Sequence, residues 1–359
     1  MSFFQSFGLC DSDDTSDLSE DDSNLIDIEI FEKIISENDI ETLKHLLDNK
    51  NINQKGFTPL QISLQKNPKI EFIQTLIDLG SNPNEFESKL TALHIVFQKE
   101  TNLQIIKLLL KNGAKLDSVN GDTPLHILFK NKPKLEILEI VSEFKADFLI
   151  SNCISPFHIA IQENFDLEII RFLIKKTENI WKRNDSQVTL LETAIKYGNP
   201  LLIKTFIESG VNMNHILNFG DSYLHFSIKI NAQIDIIEVL IESDIDINIQ
   251  NGDTPLHFLI YYGYSLEIFE KLISHGANID KFNKKTPLHL ACSYNVDLNI
   301  IEKLINLGTD PNFQDGITPF QDFISHKNDI QIFKLFLQKN ANPNLSNVFI
   351  KKKFIDNLI

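Results

Sequence analysis

An all-α fold, a solenoid of stacked antiparallel helix pairs joined by short hairpin turns, is predicted by three observations in this 359-residue sequence. A tetrapeptide, Thr-Pro-Leu-His or a variant of it, returns at Thr58, Thr91, Thr123, Ser155, Thr189, Ser222, Thr254, Thr286 and Thr318, always 32 to 34 residues after the last. Behind each copy stands a quartet of apolar residues at helical spacing, and behind most quartets a glycine. So regular a period marks an array in which each unit supplies part of its neighbours' core.

Residues 1–24 carry seven acidic residues among serines and no Lys or Arg. That composition cannot bury enough apolar surface to fold, so a disordered acidic tail is expected. Phe3, Phe4 and Phe7 are candidates for a short docking segment, and Ser19, three residues before Asp22, for an acid-directed phosphorylation site. Residues 25–52 read as a capping helix pair, with Ile28, Phe31 and Ile35 on one stripe and Leu43, Leu46 and Leu47 on the other.

Residues 53–344 hold the nine repeats. Threonine before proline is a helix start, because its hydroxyl can accept from free backbone N–H groups and proline has no N–H to leave unpaired. Five residues on, Ala160, Ala194, Ser227 and Ala291 are small enough for close helix packing. Asn164, Gly198, Gly263 and Asn295 fall where the first helix must stop, and suit left-handed backbone. The second helix is read from the apolar quartet, as in Ile105, Ile106, Leu109 and Leu110, and it falters only where Ser142 follows Val141. Gly80, Gly113, Gly210, Gly276 and Gly308 end it, with Asp244 and Asn340 as substitutes. Residues 345–359, with Phe349, Ile350, Phe354 and Leu358, read as a closing C-terminal cap.

A unit of this length opening on this tetrapeptide resembles the ankyrin repeat. The resemblance implies a concave face, lined by first helices and hairpin fingers, that holds protein partners. It also implies that His94, His126, His158, His225, His257 and His289 hydrogen-bond within and between repeats, with Gln61, Glu192 and Gln321 in their place elsewhere. On the fingers, Phe86, Phe219, Phe282 and Phe313 are candidate partner contacts. So are Trp181, Lys182 and Arg183, in the irregular stretch 175–186 where Thr177 replaces the helix-ending glycine.

Net charge is −15, and the tail supplies seven of those charges, so no broad basic surface is available for nucleic acid. Cys10, Cys153 and Cys292 are too far apart for a zinc spacing and read as reduced thiols. No phosphate-cradling loop, nucleophile elbow or zinc-protease signature occurs, so neither an enzyme nor a cofactor is expected. No apolar run of membrane-spanning length occurs, and the N-terminus is acidic rather than basic. The expectation is a monomeric, non-catalytic protein-binding module of the cytoplasm, or of the nucleus. One alternative is an adaptor or host-directed effector of a parasite, symbiont or large virus, acting in the host cytosol. Another is a masking inhibitor whose acidic tail competes for a basic regulatory protein.

Overall fold

The structure, a computed structural model, describes residues 28–47, 58–66, 68–86, 90–99, 102–117, 121–150, 154–217, 220–249, 252–263, 265–280, 285–294, 296–313, 316–327, 329–342 and 345. The acidic tail, Phe219, Phe282, Asn295 and the closing cap after Leu345 lie outside the described residues. Twenty α-helices and no strand occur among the described residues. Two compact units divide between Asn120 and Gly121.

In the first unit, α1 (Ile28–Glu37) and α2 (Ile40–Leu47) precede two repeats, α3 (Pro59–Gln65) with α4 (Ile70–Asp78) and α5 (Ala92–Gln98) with α6 (Leu103–Lys111). First helices α1, α3 and α5 touch in sequence, as do second helices α2, α4 and α6, giving two layers. Phe31, Ile35, Leu43 and Leu47 are buried in this stack, but Ile28, expected on the inner stripe, is half exposed. It is the first described residue of its helix, and Ile34 is buried alongside Phe31 and Ile35 on the face that packs.

The second unit holds seven repeats. Their first helices are α7 (Pro124–Lys130), α9 (Pro156–Gln162), α11 (Leu190–Tyr197), α13 (Tyr223–Lys229), α15 (Pro255–Tyr262), α17 (Pro287–Ser293) and α19 (Pro319–His326). Their second helices are α8 (Leu135–Glu143), α10 (Leu167–Lys176), α12 (Pro200–Glu208), α14 (Ile234–Ile241), α16 (Leu266–Ser274), α18 (Leu298–Asn306) and α20 (Ile330–Gln338). Each first helix from α7 to α19 touches the next first helix, and each second helix from α10 to α20 touches the next second helix. Helices of seven to ten residues do not persist alone in water, so this sideways packing is what holds them.

Every tetrapeptide opens a helix at its second residue, as its capping chemistry predicts. Ala160, Ala194, Ser227 and Ala291 are fully buried, which lets neighbouring first helices approach. Phenylalanine fills the space between layers: Phe157 stacks on Phe206, and Phe320 and Phe323 both pack on Phe336 at about 5 Å between centroids. The five helix-ending glycines, together with Asn340, take positive φ. Asp244 does not. In the third repeat Lys145 takes the left-handed position instead, at φ 58°.

Two first-helix stops divide on the same point. Gly263 is left-handed at φ 72°, and so is Asn164 at 57°. Gly198 is extended at φ −83°, so left-handed backbone is not why it is glycine. A Cβ there would sit 2.4 Å from the Ala194 carbonyl oxygen and 2.7 Å from Leu202, so close approach excludes any side chain.

Candidate protein-binding face

The histidine of the tetrapeptide sits three residues after the capping Thr or Ser, on the first turn of the inner helix. Its Nδ1 accepts the backbone N–H of the cap residue, at 3.0 Å from Thr91, 3.3 Å from Thr123, 3.1 Å from Ser222 and Thr254, and 3.3 Å from Thr286. The cap hydroxyl lies 2.7 to 2.9 Å from the same nitrogen. On the far side of the ring, Nε2 donates to the carbonyl just before the next tetrapeptide: His126 to Ile154, His158 to Val188, His225 to Asp253, His257 to Lys285 and His289 to Ile317. A carbonyl only accepts, so Nε2 carries the proton and the ring is neutral. Burial pushes all five rings below the ordinary histidine value. These histidines join one repeat to the next, and both nitrogens are committed.

The three substitutes behave differently from one another. Gln61 also donates forward, at 2.7 Å, but to the Glu85 carbonyl, well before the residue that precedes Thr91, so it reaches a different acceptor from the one the histidines use. Gln321 accepts the Thr318 N–H at 2.9 Å, but its amide nitrogen is buried without a partner. Glu192 accepts the Thr189 N–H at 2.8 Å, and as a carboxylate it has no proton for the next repeat.

A second link between repeats escaped the motif reading. In the first unit, Asn84 donates to the Gly113 carbonyl at 2.8 Å and accepts the Lys115 N–H at 2.7 Å. In the second, Asn214, Asn248 and Asn312 make the same pair of bonds to Asp244 and Asp246, to Gly276 and Asn278, and to Asn340 and Asn342. Each follows an Asn or Asp two residues earlier whose side chain accepts its N–H. The signal was legible: an Asx-x-Asn triplet placing its last residue four positions after the helix end.

Trp181, Lys182 and Arg183 fall where this pattern breaks. Trp181 occupies the bridging-asparagine place and stacks on His215 of the next finger, 4.5 Å between centroids and 15° between planes. Lys182 reaches back to Asp147 at 3.2 Å. Arg183 pairs with Glu192 at 3.4 Å, both largely shielded from water, and donates to the Gln187 carbonyl. Tyr223, which replaces proline in its tetrapeptide, is buried beneath Trp181, and burial drives its hydroxyl far above the ordinary tyrosine value. The three candidate residues are therefore brought together, in contacts within the chain.

Of the finger phenylalanines, Phe86 is 41% exposed, while Phe313 sets its edge to the His289 ring at 6.0 Å. The larger exposed aromatic group lies elsewhere, at the ends of the first helices. Tyr197, Tyr262 and Tyr294 each stand eight residues after the opening Thr, and Tyr261 stands beside them, all 38 to 50% exposed. Aligning the nine copies column by column past the tetrapeptide would have revealed this row. Cys292 is fully buried in α17, and burial pushes its thiol well above the usual range. Among the described residues no helix is long and apolar enough to cross a membrane.

A family model described as ankyrin repeats (three copies) matches residues 65–152, 100–184, 190–283, 224–315 and 256–347, well over half of the chain. No curated protein sequence matches. Among solved structures, the ankyrin repeat domain of Bcl-3, described as a unique member of the IkappaB protein family, aligns at a TM-score of 0.50 and 18% identity. The match covers 58% of this chain and 96% of that one. The human ASB11 ankyrin repeat domain aligns at 0.45 and 24% identity, covering 55% and 89%. At such identities the likeness to Bcl-3 speaks for the fold alone. The family match, the paired helices in two layers and the histidine links meet in one conclusion: the chain belongs to the ankyrin-repeat family.

Proposed function

We propose that the chain is a non-catalytic module that binds a protein partner on the face formed by its first helices and fingers. Ankyrin repeat domains are generally protein–protein interaction modules. The observation that carries the choice of face is the tyrosine row at the ends of α11, α15 and α17, because exposed aromatic side chains on a rigid support are frequent interface anchors. The histidines and asparagines that could do chemistry are consumed in holding repeats together. A preorganised stack also loses little ordering entropy when a partner docks. Phe86 is proposed as a separate contact on the first unit.

The test is affinity capture with the full chain, scored by quantitative mass spectrometry. Joint substitution Tyr197→Ala, Tyr262→Ala and Tyr294→Ala is expected to weaken the captured partner by at least about tenfold. Leu201→Ala and Ile234→Ala, at exposed positions on second helices α12 and α14, are expected to leave it bound. Equal loss from both sets would overturn the choice of face.

A further inference from the structure

In the second unit, the residue before a tetrapeptide and the residue seven after its first position meet beside the first helix. Asp122 pairs in this way with Lys130, and Asp221 with Lys229 at 4.0 Å. Where the first place is basic, Lys285 holds Ser293 at 3.2 Å and the buried Asp322 of the next repeat at 3.0 Å. In the seventh repeat the same two places are Asp253 and Tyr261. The chain's own cation is replaced there by an aromatic ring, and the Asp253 carboxylate, half buried, has no ion pair among the described residues. Lys285, in the next finger, is already committed. Tyr261 packs edge-on against Tyr294 of the neighbouring first helix, centroids 5.0 Å apart at 79°, and both rings remain exposed. Burial, then the charge of Asp253, hold the Tyr261 hydroxyl above its ordinary value, so the ring stays neutral.

A carboxylate with no ion pair among the described residues, next to the open Tyr261 ring that packs on Tyr294, is a ready receptor for a cation. We infer that Asp253, Tyr261 and Tyr294 take an arginine side chain from the protein partner, the guanidinium accepted by the carboxylate and stacked on tyrosine. Arginine fits better than lysine because its planar cation can both stack on a ring and hydrogen-bond a carboxylate. The net charge of −15 favours the approach of a basic segment. This rests on the reading of the first-helix face as protein-binding and adds the chemistry of what it reads.

The probe is a capped Gly-Ser-Arg-Ser-Gly peptide, with its neutral citrulline counterpart, titrated into the full chain and followed by tyrosine ring resonances in NMR. Saturable shifts at Tyr261 and Tyr294 are expected, at least about tenfold tighter for arginine than for citrulline. Asp253→Asn is expected to abolish that preference. Tyr261→Lys, which installs the lysine found in the third and sixth repeats, is expected to abolish it by supplying the missing cation from within, with the fold intact by circular dichroism. Asp221→Asn makes the same change in net charge at a paired carboxylate and is expected to keep the preference. Equal titration by the citrulline peptide, or equal effects of Asp253→Asn and Asp221→Asn, would overturn the inference. If partner capture depends on the tyrosine row but no arginine preference appears, the binding face stands and the arginine falls. If the preference appears but capture ignores the row, the arginine site stands and the face falls.

Discussion

The sixth and seventh repeats and the fourth and fifth are built to the same plan and joined by different chemistry. The histidine bond is common to both, His225 to Asp253 and His158 to Val188, but between the sixth and seventh Asn248 also bonds the carbonyl of Gly276 and the N–H of Asn278. Around the fourth, the asparagine place holds Leu149 on one side and Trp181 on the other, and Thr177 ends the second helix in extended backbone. Lys182 with Asp147, Trp181 on His215 and Arg183 with Glu192 stand in for the missing bonds. An amide that bridges two backbone groups works wherever the local turn recurs. A ring stack or ion pair works only where both partners have been placed, so the irregular junction depends on a few particular side chains.

That contrast can be broken most forcefully at Trp181. Trp181→Ala removes the stack on His215 and uncovers Tyr223, and should cost about 2 to 3 kcal/mol in urea unfolding, less than a fully buried tryptophan because the ring is partly exposed. Asn248→Ala should cost about 1 to 2 kcal/mol by the same measurement, since two backbone groups of the next repeat lose their partner. An Asn248→Ala loss as large as that of Trp181→Ala would contradict the distinction between the junctions.

Acid separates the fifth repeat, which has Glu192 in the histidine place, from the repeats that keep histidine. The fold holds His126, His158, His225, His257 and His289 below their unfolded value of 6.5. The stabilisation from their neutral form is therefore complete above pH 6.5 and is lost as pH falls through the folded values. Hydrogen exchange compared at about pH 7 and about pH 5 should show the first turns of α7, α9, α13, α15 and α17 losing protection before α11, which has Glu192 instead. Earlier loss in α11 would refute the link. The smallest effect belongs to Asp147→Asn, which keeps the side-chain oxygen that accepts the Leu149 N–H but removes the exposed pair with Lys182. It should change stability by no more than about 0.5 kcal/mol in urea, and less at high salt.

Period, capping residue and apolar quartet were readable because each repeats and each acts locally, so nine copies state the same rule. The histidine's two bonds followed from the family resemblance. The reason for Gly198 was hidden because it lies in where Leu202 comes to rest, and the distance to Ala194 O does not show in composition. Asp244 was misjudged because the helix end before it takes another course, with Ser243 bonding back to Leu240. Arg183 with Glu192 is a single compensated exchange, so no second copy existed to expose it. The place of Tyr261 against Tyr294 of the next repeat needed the helices to be assembled before its spacing from Asp253 had meaning.

Cys292 carries a further consequence. Its sulfur lies sealed in α17, which packs directly on α19, and a thiol that stays protonated is a poor nucleophile. Alkylating reagents can reach it only while those neighbours part. The rate of its modification is therefore a stopwatch for the opening of one rung, carried by the chain without any added label.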